Sequence, residues 1–245
     1  MKTTSSRNIK NLLLKDLKTH IESQDFIQFT KRLLNICKGR YAQNDILLGV
    51  RVSNQRLLAK KYCASIDLKE IERLLQDEIH ELRFIALVIL SQKYKKATND
   101  FKSKIAEIYL RNYKYINNWD LVDTSAPHIS GHYWYNNELD KFWEFAKSGN
   151  LWKERISMVS TFYFIRRNRF EETLKLVEMF LNHKHDLIHK ASGWMLREVG
   201  KRDIDSLIIF LDKYVTKMPM TMLRYSIEKL SHRQKKLYLS LPNIR

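Results

Sequence analysis

Glycine and proline are scarce in this chain, at 6 and 3 among 245 residues. A many-stranded β protein needs more turn residues than that, so the scarcity argues against a sandwich or barrel and for long helices on short connections. Cysteine is scarcer still, with two. Cys37 and Cys63 match no metal spacing and lie in stretches of helical patterning, so they read as buried thiols in a reducing cytoplasm rather than as a disulfide. No apolar run approaches the roughly 18 residues needed to cross a bilayer. Leu12-Leu13-Leu14, behind the polar residues 1–10, is too short for a signal-peptide core. The expectation is a cytoplasmic chain with no membrane partner.

What is abundant is positive charge. The net charge is +17 and the sequence pI about 9.8, which draws a chain to polyanions, nucleic acid first and an anionic membrane surface second. Hydrophobic content of 44% and charged content of 29% are ordinary for a globular protein. At this length the chain can bury a substantial core.

The apolar positions recur at helical spacing. N-terminal helices are expected over residues 9–64, broken near Ser23-Gln24-Asp25, ended by Gly39 and interrupted by a linker at 41–52. From Asp67 the pattern repeats, with unit starts at Asp67, Asp100, Asn137, Asn168 and Asp203, each unit being two helices. Asp67 with Glu70 three residues on is a helix-start signal. Gly200 reads as a helix C-cap and Pro219 as a break. A period of about 31 to 37 residues signals an α-solenoid of HEAT or armadillo type. The expected fold is therefore all-α, a right-handed solenoid of helical pairs in one domain, 1–245. Repeat pairs span 67–231, a basic tail runs over 232–245, and the chain is expected to be monomeric.

In such arrays the second helix of each pair commonly lines the concave side. Those helices carry Trp119, Asp123, Arg155, Arg166, Arg167, Trp194, Arg197, Arg224 and Tyr225, so a basic surface with interleaved aromatics is expected, fit to track a phosphate backbone. Solvated charges and aromatics packed between helices would give the same composition.

Four segments offer chemistry. Gly49-Val50-Arg51 with Arg56 is a turn followed by cations at a helix start. Asn117-Asn118-Trp119-Asp120-Leu121-Val122-Asp123 is a capped helix start whose Trp119 and Asp123 share a face. An aromatic surface beside a carboxylate suits a cationic ligand or a transition state that gains positive charge. Asp120 and Asp123 could equally only cap the helix and complement its dipole. Leu151-Trp152-Lys153-Glu154-Arg155 sets a cation one turn after a Trp. Lys190-Ala191-Ser192-Gly193-Trp194-Met195-Leu196-Arg197 sets Trp194 and Arg197 on one face, with Gly193 open to close approach of another backbone. Two histidine sets, His183, His185 and His189, and His128 with His132, match no established metal motif, and no metal is expected.

Taken in order, these blocks resemble the AlkD-type DNA alkylation-repair glycosylases, a family of HEAT-like-repeat proteins. The strongest are residues 118–123, Leu151-Trp152 with Arg155, and 189–200, with a weaker one at Thr221-Met222-Leu223-Arg224-Tyr225. The resemblance implies that Asp123 is the catalytic carboxylate, that Trp119 and Trp194 wall the lesion site with Tyr41 at its border, and that Arg155 binds the DNA backbone. Arg51, Arg197 and Arg224 are the further backbone contacts expected. Ser53 stands where the family often has Pro, and Met220 where a basic residue is common. The implied activity is excision of N3- or N7-alkylated purines from double-stranded DNA, without a deep base pocket and without a cofactor, by a protein that gathers on the nucleoid when it acts. A purine so alkylated is already a good leaving group, and breaking its N-glycosidic bond builds oxocarbenium character that a carboxylate stabilises. No lysine stands out as a Schiff-base nucleophile, so strand cleavage is not expected. The alternative is a catalytically silent HEAT-like DNA-binding or scaffold protein, which shares the basic residues and has no use for Asp123.

Overall fold

A computed structural model describes residues 6–241. Residues 1–5 and 242–245, the start of the polar N-terminus and the end of the basic tail, lie outside the described residues. The described residues hold fifteen α-helices and two short 3₁₀ turns with no strand, so the all-α helical-repeat fold class is the one observed. None of these helices is long and apolar enough to cross a membrane. The chain divides into two compact units, residues 1–129 and 130–245, a division that the repeat pattern does not announce.

In the first unit α1 (Ser6–Lys18) and α2 (Gln24–Leu33) precede α3 (Val52–Tyr62), α4 (Leu68–Leu75), α5 (His80–Lys96), α6 (Asn99–Arg111) and α7 (Trp119–Ser125). Caps set the starts. The Ser23 hydroxyl accepts from Phe26 N, and Asp67 accepts from Glu70 N at 2.8 Å, each satisfying an orphan donor of a first turn. The core of this unit is α5, on which α3, α4, α6 and α7 pack. Every residue from His80 to Leu90 is buried, the apolar run Phe84–Leu90 together with the charged His80, Glu81 and Arg83 of its start, so the helix is enclosed on all sides. The linker ahead of α3 is pinned to it. Glu81, wholly buried, accepts from Leu48 N at 3.1 Å, Gly49 N at 2.7 Å and Val50 N at 3.3 Å. Gly49 is required there, since its φ is +89° and a Cβ would meet Ile27 Cγ1 at 2.3 Å.

The second unit runs α8 (Ser130–Tyr135), α9 (Asp140–Ala146), α10 (Leu151–Ile165), α11 (Glu171–Met179), α12 (Asp186–Gly200), α13 (Ile204–Tyr214), α14 (Met220–Ser226) and α15 (His232–Ser240). Helix α10 packs on α8, α9, α11 and α12, and α12 packs on α13 and α14. Trp134 is fully buried, edge-on to Phe142 and Phe145 with ring centroids 5.4 and 5.7 Å away, an arrangement that aromatic quadrupoles favour.

Several boundaries differ from the sequence reading. The first helical stretch stops at Leu33, because Asn35 takes a left-handed φ of 55°, a conformation Asn adopts more readily than most residues. Asn168, expected to open a unit, also has a left-handed φ of 58° and follows the end of α10 instead. Gly200 is the last helical residue of α12 and not its cap, which is Lys201. Its missing side chain makes room for Leu207, whose Cδ2 lies 2.4 Å from where a Cβ would stand. Cys37 is exposed and Cys63 half-exposed, not buried. Both lie just past helix ends, Cys37 in the turn after α2 and Cys63 as the C-cap of α3, where the apolar stripe has already stopped.

Candidate functional site

Helix α7 starts where its cap residue dictates. Asn118 Oδ1 accepts from Trp119 N at 2.8 Å, while its Nδ2 donates to Leu34 O at 2.8 Å, the whole side chain being buried. One residue thus caps the helix and ties it to the end of α2. Trp119 packs on the apolar cluster of Ile27, Leu34, Ile36, Ala42 and Leu47, and Tyr41 packs on that same cluster. The Trp119 indole N–H points to Leu33 O at 3.4 Å, and the Tyr41 hydroxyl accepts from Asn35 Nδ2 at 3.0 Å. Two candidate aromatics 78 residues apart in sequence therefore share one support. Asp123 follows Trp119 by one turn and is half-buried.

Between them, Asp120 turns into the protein. Its Oδ2 meets His80 Nε2 at 2.8 Å, and His80 Nδ1 meets Asp45 Oδ2 at 3.2 Å. Arg83 closes the group, bonding Asp45 Oδ2, Asn117 Oδ1 at 2.7 Å and Tyr115 O at 3.3 Å. Two carboxylates face two cations, the balance a buried polar group requires. Burial alone would push the His80 ring down. The charge of Asp120 and the hydrogen bonds that Asp120 and Asp45 accept from the ring outweigh burial and Arg83, and raise it to about 9. Burial raises the Asp45 carboxyl, but His80 and Arg83 prevail and hold it below the usual range. Sequence reasoning missed Asp45, His80 and Arg83.

Arg51 is exposed but engaged. It forks onto Glu22 at 2.7 and 3.3 Å and lies over the Phe26 ring at 4.9 Å.

In the second unit, Asn150 caps α10 by accepting from Trp152 N and Lys153 N, which sets the register of Arg155. Arg155 is 4% exposed, and its guanidinium donates from Nη1 to Leu187 O at 2.6 Å in the first turn of α12. It is placed as a brace between two helices, not as an open surface contact. The histidines nearby are held by the protein itself. His183 Nε2 meets Glu154 Oε2 at 3.0 Å, His183 Nδ1 accepts from His185 N, and His189 Nε2 meets His183 O at 2.6 Å. His185 caps α12 by accepting from Leu187 N at 3.1 Å. Burial and the neighbouring His183 push its ring below the ordinary value, which keeps the accepting nitrogen free of a proton.

Trp194 is half-buried on α12. Its indole N–H donates to Glu198 at 3.2 Å, and Phe162 lies 5.9 Å away between ring centroids. Arg166 reaches over Phe162 at 5.8 Å, extending a row of cation and aromatics that had not been foreseen through Phe162. Arg167, in turn, stacks on Tyr163 at 3.4 Å. Arg197 is paired with Glu228 and, at 3.6 Å, Glu198, so its charge is largely spent within the protein. Arg224 is exposed on α14. Gly193 lets α12 and α14 touch, since a Cβ there would lie 2.4 Å from Met222 O.

A solved structure named as a predicted DNA alkylation repair enzyme from Enterococcus faecalis is similar in fold, with a TM-score of 0.68 over 86% of this chain and 97% of that one, at 15% identity. No curated protein matches the chain. The sequence model of the DNA alkylation repair enzymes matches residues 13–230, most of the length, and the chain belongs to that family.

Proposed function

We propose that the protein is a monofunctional DNA glycosylase that releases cationic N3- and N7-alkylated purines from duplex DNA by hydrolysis. The family supplies the role in alkylation repair. The observation that supports the finer reading is the anchoring of α7. Its cap, its packing on the α2 cluster and the Asp120–His80 bond hold the turn that carries Trp119 and Asp123. A group that stabilises developing charge must be fixed before the charge appears, and this helix start is fixed from three sides.

In this reading Asp123 faces the sugar as its glycosidic bond breaks, stabilises the oxocarbenium character and orients the attacking water. The leaving purine carries its own positive charge and needs no proton from the protein. Trp119, one turn before Asp123, offers an aromatic face to such a cation, worth about 1–2 kcal/mol where desolvated. Arg166, Arg167 and Arg224, all exposed, supply backbone attraction, and the excess charge of the whole chain adds to it. Arg155 acts by bracing α10 against α12.

Incubation with methylated duplex DNA and chromatography of the released bases tests the proposal. The wild type is expected to release 7-methylguanine or 3-methyladenine. Asp123→Asn, which keeps the shape and loses the charge, is expected to lose about 10²–10³ in rate with DNA affinity nearly intact. Wild-type release by Asp123→Asn overturns the catalytic assignment and leaves Asp123 as a helix-start carboxylate. No release by either protein favours a binding role alone.

A further inference from the structure

We propose that His80 is a positioning residue for base excision: held by Asp45 on one ring nitrogen and Asp120 on the other, it fixes the first turn of α7 and thereby the reach of Trp119 and Asp123. The inference rests on the proposed role of Asp123.

Each ring nitrogen faces a carboxylate oxygen, which when ionised can only accept. Nδ1 meets Asp45 at 3.2 Å and Nε2 meets Asp120 at 2.8 Å. A ring that donates from both nitrogens is the imidazolium, because a neutral imidazole has only one N–H to give. The side chain is 2% exposed, so water does not replace a lost partner. Arg83 binds Asp45 and Asn117 in the same cluster, and Asn117 Nδ2 reaches Asp45 Oδ1 at 3.4 Å. Backbone joins the same stretches, with His80 N donating to Ile46 O and Ile46 N to Glu78 O, both at 2.9 Å. The linker at residue 45, the start of α5 and the entry to α7 are therefore clamped at one point.

Burying four charges is a poor way to gain stability, since apolar residues of similar volume usually do as well or better. What such a cluster gives is a single geometry, because each bond has a direction that apolar packing lacks. The helix it orients carries Asp120 between Trp119 and Asp123. A misplacement of about 1 Å at a reacting group can cost on the order of 10²-fold in rate. The charged groups facing His80 are Asp120 from α7, Asp45 from the linker and Arg83 from α5 itself. The two carboxylates hold the proton on the ring. Loss of that proton breaks one of the two bonds and leaves a carboxylate without its counter-charge.

The experiment is single-turnover release of 7-methylguanine from methylated duplex DNA at saturating protein, as a function of pH, with DNA affinity and circular dichroism measured alongside. His80→Gln and Asp120→Asn are each expected to stay folded, bind DNA within about twofold of wild type and release base at least tenfold more slowly. The double variant is expected to fall no further than the slower single, because both act through one bond. The wild-type rate is expected to fall as pH rises through about 9. In Asp120→Asn that limb moves to lower pH, since a carboxylate holding the proton is gone, and in His80→Gln it disappears. His80→Gln that is folded and releases base at the wild-type rate overturns the proposal. Should His80→Gln fail to fold, the wild-type profile decides. A flat profile through pH 10 with the protein folded overturns it, and a limb that shifts in Asp120→Asn supports it. Asp123→Asn run in parallel separates the two levels. If Asp123→Asn is inactive and His80→Gln fully active, only the positioning role fails. If Asp123→Asn is fully active, the catalytic reading falls and takes this one with it.

Discussion

A methyl group added at Gly193 has nowhere to go. It would stand 2.4 Å from the carbonyl oxygen of Met222 and 2.6 Å from Tyr225 Cβ, against an ordinary contact of 3.4 Å or more. The nearest obstacle is backbone, so no rotamer relieves it, and α12 and α14 must part by about 1 Å. Overpacking of this kind costs about 1–3 kcal/mol, and the better helix propensity of alanine returns about 1 kcal/mol. We place Gly193→Ala at the upper end of the first range, for a net loss of about 1–2 kcal/mol. For a chain of this size that lowers the melting temperature by roughly 2–8 °C, read by circular dichroism. The double variant Gly193→Ala/Tyr225→Ala is expected to recover none of the term due to Met222 O, since trimming Tyr225 leaves the backbone in place. Trp194 is the next residue, so base release is expected to fall together with stability. A Gly193→Ala protein that melts at or above the wild-type temperature refutes the argument and means that the two helices do not approach as closely as described.

Glu81→Gln replaces an acceptor of three backbone N–H groups with a side chain whose amide nitrogen faces donors. A loss of about 2–3 kcal/mol is expected in urea denaturation, and an unchanged midpoint would contradict the tether. His80 predicts a pH dependence of stability. Its folded value of about 9 lies above the ordinary 6.5, so its contribution is full below pH 6.5 and fades as pH rises through 9. The difference is worth at most on the order of 3 kcal/mol. Denaturation midpoints in a pH series are expected to fall over that window in the wild type and less in His80→Gln. Arg224→Ala is expected to weaken duplex binding about equally for all sequences and to reduce the salt slope by about 1, measured by titration at several salt concentrations.

Much of this architecture is legible because its signals are local. Asn118 sits one residue ahead of the helix it caps, and Asp67 and Asp203 read the same way. Trp119 and Asp123 declare their shared face by spacing alone. The supporting cluster is invisible for the opposite reason. His80 finds Asp45 and Asp120 at separations of 35 and 40 residues, and nothing in the neighbourhood of a histidine at a helix start marks it as doubly bonded. The same distance hid the engagement of two arginines. Glu22 takes Arg51 across 29 residues and Glu228 takes Arg197 across 31, so residues that look like open cations in the sequence are partly spent. Arg155 looks like a surface cation one turn after Trp152, yet the helix turns it under α12. The left-handed residues Asn35 and Asn168 carried a usable signal, because Asn tolerates that conformation, but Asn is also a good N-cap and the sequence alone does not choose between the two.

The brevity of α7 has a kinetic consequence. Seven residues make about two turns, too few to persist as a helix in water without outside support. Its lifetime is therefore borrowed from α5, whose buried first turn binds it through Asp120 and Asn117. Amides of a helix enclosed on all sides exchange with solvent only when the surrounding unit opens as a whole. If α7 is tied to that event, its amide protons should exchange in step with those of α5 and far more slowly than its length would suggest.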